Sequence, residues 1–178
     1  MVRAHIRGFA AITLLTLLSA TLVVDAQPPR RPWNDQPWEL PKARGQSVAI
    51  ALKTDPLEDP EAACVALQIG MNLMMSTLSV NGASVDVEPA RDVTLFPTLG
   101  GVELVNPAND FSATDCMTQS GPMPLSDILA GYTGLGGRVL VCGLCAAARG
   151  ITAPTDGAIG NAQQVHELFL YSDKVIDF

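Results

Sequence analysis

The sequence predicts an α/β domain, three-layered, with a mostly parallel sheet, helices on both faces and right-handed crossovers. Short runs of small and apolar residues at 47–52, 93–96 and 138–141 have the near-continuous hydrophobicity of strands covered on both faces. Stretches at 60–79, 125–135 and 162–171 carry apolar residues at helical spacing instead. The two kinds of segment alternate along the chain, which is the pattern of a parallel sheet. With 178 residues, 48% of them hydrophobic, the chain is long enough for one domain with a real core and short for two ordinary ones.

Residues 1–26 read as an export signal rather than as part of the fold. Arg3, His5 and Arg7 form a basic start, residues 9–24 are apolar, and Val24, Asp25 and Ala26 suit cleavage after Ala26. An uncleaved membrane anchor is the alternative, but the apolar run falls short of the roughly 20 residues a span needs. The expected location is therefore periplasmic or secreted. Residues 27–46 are proline-rich and hold both tryptophans, Trp33 and Trp38, without helical or strand period. They read as a semi-extended linker to a domain at 47–178.

Within that domain, 47–52 is the first strand and 53–59 an acidic turn. Asp59, Pro60 and Glu61 then start a helix with a capping carboxylate and a proline in its first turn. Cys64, Leu67, Met71, Met74 or Met75, and Leu78 form its apolar stripe, which carries the helix to Ser79; the methionines read as packing rather than as copper ligands, and Cys64 as a small buried hydrophobe. Asn81-Gly82 marks a turn, and 93–96 is the second strand, ended by Pro97. Residues 100–105 have no clear assignment. Residues 107–124, which include Cys116, read as a long loop. A helix follows at 125–135, with Leu125, Ile128, Leu129 and Tyr132 on one side, and then the strand 138–141. After Gly150 come a short strand at 157–159, a helix at 162–171 and a terminal strand at 174–178.

The stretch 138–150 is the one with chemistry in it. Cys142 falls at the carboxyl end of a strand, where reactive groups of parallel sheets gather. Ala146 to Ala148 favour a helical turn, and Gly150 suits the left-handed position that stops it. In a helix starting near Cys142, Cys142, Cys145 and Arg149 are spaced i, i+3 and i+7 and share a face. Backbone N–H groups and a cation there both favour a thiolate. A lone CxxC is compatible with a redox dithiol, half a metal site or coincidence. A zinc site lacks ligands, since only Cys64, Cys116 and His166 remain, and no metal or other cofactor is expected.

The run from Val139 through Cys142, Cys145 and Arg149-Gly150 to Ile151 resembles the cysteine motif of the DsrE/DsrF-like family, whose better-known members are sulfur-transfer proteins of the DsrE and TusD type. Residues 48–61 are similar to that family's first strand and acidic turn, 91–96 with 100–105 to its second strand and the segment after it, and 172–178 to its closing strand. The resemblance covers about residues 47–178 and implies a flavodoxin-like, DsrE-like fold. It implies that Cys142 carries a persulfide received from one partner and passed to another, with Arg149 and backbone groups stabilising the thiolate and Cys145 or Cys116 resolving the adduct. It also implies a homo-oligomer, a trimer or hexamer. Sulfur donor and acceptor proteins or small sulfur compounds are the expected partners, in periplasmic sulfur metabolism.

Two alternatives remain open. One is a thiol–disulfide redox protein using Cys142 and Cys145; the other is a non-catalytic binding or assembly module with a structural disulfide. Charge narrows the field, because the formal net charge is −7 and residues 47–178 hold five basic residues against fifteen acids. That balance argues against nucleic acid as a partner. Asp55, Glu58, Asp59 and Glu61 read as a solvated acidic cap rather than a calcium site, His166 as a surface or packing residue rather than a base, and Ser126 with Asp127 as helix-start residues. Gly134 to Gly137 lacks the Lys-Ser or Lys-Thr of a phosphate loop.

Overall fold

A computed structural model describes residues 45–178. The expectations for residues 1–44, the export signal and nearly all of the linker, fall outside the described residues. Among the described residues no helix is long and apolar enough to cross a membrane.

Five parallel strands form the central sheet: β1 (Ser47–Leu52), β4 (Asp92–Pro97), β7 (Arg138–Cys142), β8 (Ala158–Gly160) and β9 (Lys174–Asp177). Their order across the sheet is β8-β7-β4-β1-β9, so the chain steps outward from β1 to β8 and then returns to the other side of β1. Strand register separates two faces, since Ile50 lies beside Leu95, and Ala51 beside Phe96. The first face carries Val48, Ile50, Leu52, Val93, Leu95, Val139 and Val141, all buried in one core with α1 (Pro60–Met74) and α2 (Leu125–Gly134). On the other face Phe96 meets Phe169 of α4 (Ala162–Tyr171) edge to face, with ring centres 5.2 Å apart. The predicted three-layer α/β class is therefore observed.

Tyr132 ties this core together. It is fully buried on α2, and burial pushes its phenol far above the ordinary range. Its hydroxyl accepts from the Leu95 N–H at 2.9 Å and lies 3.1 Å from the carbonyl oxygens of Val93 and Arg138, bridging β4 and β7 where their pairing begins. Its ring sits against Gly70 of α1 and Gly137, where a Cβ would collide with it. Tyr132→Phe is expected to cost about 1–3 kcal/mol, because it leaves the buried Leu95 N–H without that acceptor. Urea denaturation of the two proteins measures this.

Three local expectations are corrected. The first helix ends at Met74, not Ser79. Residues beyond it form a hairpin, β2 (Thr77–Val80) and β3 (Ala83–Asp86), turned by Asn81 and Gly82 at φ of 52° and 79°. Two positive φ values at Asn-Gly define a tight hairpin turn, so the alternation of Thr77 to Val80 overrides the helical reading and takes Leu78 off the stripe. Residues 115–124 are a second hairpin, β5 (Asp115–Thr118) and β6 (Gly121–Pro124), rather than open loop. The unassigned stretch is a 3₁₀ helix, Leu99–Val105, laid across the end of β1: Thr98 N–H donates to Leu52 O at 2.8 Å and Gly101 N–H to Lys53 O at 3.2 Å. A side chain at Gly101 would run into the Leu52 carbonyl, so this close approach requires glycine.

The cysteines also pair differently from expectation. Cys64 and Cys116 form a disulfide across 52 residues, with Cα atoms 5.5 Å apart. Cys64 is buried as expected but is not a free apolar side chain, and Cys116 is not available to resolve an adduct on Cys142. The bond fastens the β5–β6 hairpin to α1, beside a hydrogen bond from Gln68 to Met117 O at 3.1 Å.

Candidate functional site

The carboxyl ends of β7, β4 and β1 stand side by side, and the two free thiols lie just past the end of β7, with Cys145 against the first residues after β4. Cys142 is the last residue of β7 and the N-cap of α3 (Gly143–Ala148), with its sulfur accepting from the Cys145 N–H at 3.4 Å. The helix ends where predicted, with Gly150 left-handed at φ 71°. Cys142 and Cys145 are both free and half-buried, and the Cys142 thiol donates to Cys145 Sγ across 2.7 Å.

The donors that sequence reasoning placed around Cys142 converge on Cys145 instead. Leu99 N–H donates to Cys145 Sγ at 3.2 Å, and Thr98 Oγ1 lies 3.5 Å from it. Leu99 reaches this position with φ at 51°, a left-handed conformation that costs a leucine roughly 1–2 kcal/mol. The side chain gains little in return, being 58% exposed. What the conformation does is aim an N–H at a sulfur.

Arg149 is the C-cap of α3, and its Nε pairs with Glu103 Oε1 at 3.1 Å. The other carboxylate oxygen accepts from Asn106 and Asn109, at 2.7 and 2.9 Å, so Glu103 is fully engaged and holds Arg149 against the 3₁₀ helix. Burial opposes ionisation of the Cys145 thiol. Hydrogen bonds from Cys142, Thr98 and Leu99 and the field of Arg149 outweigh it, and the pKa falls below its ordinary 9.0. Thr98→Val is expected to move it back upward, a shift that the pH dependence of Cys145 alkylation reads directly. A depressed folded-state pKa also fixes a sign for stability. The reduced protein gains stability at pH above the unfolded thiol's pKa and loses that contribution as pH falls through the folded value.

Of the residues that sequence reasoning named, the structure brings Cys142 and Cys145 into contact with Arg149 close enough to act on Cys145, and it adds Thr98, Leu99 and Glu103, which that reasoning did not name. For Thr98 and Leu99 the signal was position alone, directly after the carboxyl end of β4, and Glu103 lies further on, in the 3₁₀ helix. The acidic turn serves its own backbone: Asp55 Oδ1 accepts from Leu57 N–H at 2.9 Å, and Asp59 caps α1 by accepting from Glu61 N–H at 3.1 Å. It abuts Gly100, which places it next to the cysteine loop. Leu144, between the two cysteines, is 86% exposed. His166 lies on α4, and among the described residues no three His, Cys, Asp or Glu side chains gather as a metal site.

Comparison with protein-family models and with curated proteins gives no match. Among solved structures the chain is similar to the crystal structure of the ychN protein from E. coli, at 20% identity and a TM-score of 0.51. The likeness covers 75% of this chain and 99% of that one. At this identity it supports the fold alone, an α/β fold of the DsrE-like kind.

Proposed function

We propose that this protein handles sulfur through the Cys142–Cys145 pair, accepting a sulfane sulfur, as a persulfide, from a small sulfur compound or a partner protein. The observation that carries the reading is the setting of Cys145: a sulfur held by the Leu99 N–H, the Thr98 hydroxyl and the Cys142 thiol, at the strand ends where a parallel sheet exposes its reactive groups. The thiolate favoured there is Cys145, so the roles within the pair are the reverse of those the sequence resemblance implies. Arg149 acts at a distance, as a fixed charge that Glu103 positions. The chemistry itself calls for no cofactor. Export to an oxidising compartment belongs to this proposal, and the buried Cys64–Cys116 disulfide supports it. So does assembly as a homotrimer or hexamer, for which Phe169, Leu170, Tyr171 and Val175 offer exposed apolar surface.

The reading is tested with reduced protein and glutathione persulfide. Wild type is expected to consume persulfide in an amount matching the chain, with the reaction confined to the Cys142–Cys145 peptide, and the Cys142→Ser/Cys145→Ser double variant to consume none. An unreactive wild type would contradict it. Thiol–disulfide exchange with protein substrates is the second reading, favoured by the 2.7 Å contact between the two sulfurs. Reduction of a model protein disulfide without any reaction with persulfide would select it.

A further inference from the structure

A persulfide carrier has to keep its cargo until an acceptor arrives, and the geometry here works against keeping it. Cys142 Sγ lies 2.7 Å from Cys145 Sγ with its S–H directed at it. A sulfur atom placed on Cys145 therefore acquires, as its nearest neighbour, a second thiol already in contact with the sulfur that carries it. Intramolecular attack from such a position is strongly favoured over reaction with an external acceptor. The remaining two cysteines cannot divert the reaction, being joined to each other and buried.

We infer that the pair reduces the sulfur it accepts, releasing it as hydrogen sulfide and closing the Cys142–Cys145 disulfide, so that the protein is a sulfane-sulfur reductant rather than a store. This rests on the sulfur-handling reading above. In the first step the Cys145 thiolate attacks the outer sulfur of a small persulfide. The S–S bond of the donor breaks, its thiolate leaves, and Cys145 becomes a persulfide. In the second step Cys142 Sγ attacks Cys145 Sγ and the bond from Cys145 Sγ to the added sulfur breaks. That sulfur leaves with the bonding electrons and takes the Cys142 proton. Two thiols are oxidised to one disulfide, and one sulfane sulfur gains two electrons to become sulfide. A further turnover needs a dithiol reductant, the class of compound or protein that must act next on this chain.

Other parts of the structure serve the same sequence. Leu99 N–H and Thr98 Oγ1 lie beside Cys145 Sγ, where they favour the thiolate that makes the first attack. Leu144 and Leu99 expose apolar surface next to the pair, which suits a small or weakly polar donor better than a highly charged one.

The test is a single turnover without reductant. Reduced wild-type protein, freed of reductant and kept anaerobic, is mixed with glutathione persulfide, and sulfide and the mass of the Cys142–Cys145 peptide are measured together. The expected result is about one sulfide per chain above the double-variant background, with a disulfide and no added sulfur on the peptide. Cys142→Ser and Cys142→Ala are both expected to retain one added sulfur on Cys145 and to release no sulfide above background. Wild type that keeps the added sulfur with both thiols unlinked overturns the inference and leaves the sulfur-handling reading standing. Sulfide release by the Cys142 variants at the wild-type rate also overturns it, because release would then not need the second thiol. Absence of both added sulfur and sulfide in wild type and variants alike sinks the underlying reading instead.

Discussion

Breaking the Cys64–Cys116 disulfide is expected to destabilise the domain by about 4 kcal/mol, the loop-closure value for a bridge spanning 52 residues. The bond joins α1 to a hairpin that otherwise has a small hydrophobic face: Cys116 is buried, but its neighbour Met117 and its cross-strand partner Met123 are exposed. Released from α1, the hairpin gives up the Gln68 contact as well. The effect is best measured in the Cys142→Ser/Cys145→Ser background, where Cys64–Cys116 is the bridge that a reductant can open among the described residues. Reduction there is expected to lower Tm on the order of 10 °C. An unchanged Tm would mean that the hairpin docks without the bond.

The second large effect lies at the two free thiols. Cys145→Ser is expected to slow sulfur uptake from glutathione persulfide by at least about 100-fold, since a neutral hydroxyl replaces the nucleophile. Cys142→Ser should keep uptake within about tenfold of wild type, because it weakens one hydrogen bond to Cys145 and leaves those from Leu99 and Thr98. The contrast assigns the nucleophile. Equal losses in the two variants would return that role to the pair as a unit.

How much of this was legible in the sequence follows from the range of the forces involved. Strands β1, β4 and β7 announce themselves because burial on both faces demands continuous small and apolar residues, and α4 was placed at its observed ends, residues 162–171, by spacing alone. The Met74 boundary was missed because Met75 and Leu78 extend the helical spacing by chance, while the competing signal, strict alternation about Asn81-Gly82, spans only ten residues. Residues 115–124 look like loop because Gly121, Pro122 and Pro124 break strand propensity, and a disulfide to a distant helix stabilises the hairpin. No local pattern encodes that pairing.

At the site, local and non-local information divide in the same way. Cys142, Cys145 and Arg149 were visible because eight residues of one strand–helix turn carry all three. Thr98 and Leu99 were not, since their importance comes from the pairing of β4 with β7, which brings the end of one strand to the turn of the other. Glu103 was hidden in a 3₁₀ helix whose course depends on glycine fitting against Leu52. Sequence reasoning consequently placed the stabilising groups around Cys142, whereas Thr98 and Leu99 lie at Cys145.

Cys145 as the more readily ionised thiol of the pair is put to the test by the pH dependence of alkylation. Fully reduced protein is treated with limiting iodoacetamide across the neutral and alkaline range, and modification of Cys142 and Cys145 is followed separately by peptide mapping. Cys145 is expected to react first and already at a pH where an ordinary cysteine is protonated, with its profile displaced upward in Thr98→Val. Preferential reaction of Cys142, or reaction of both cysteines only as pH approaches that of an ordinary thiol, would contradict it.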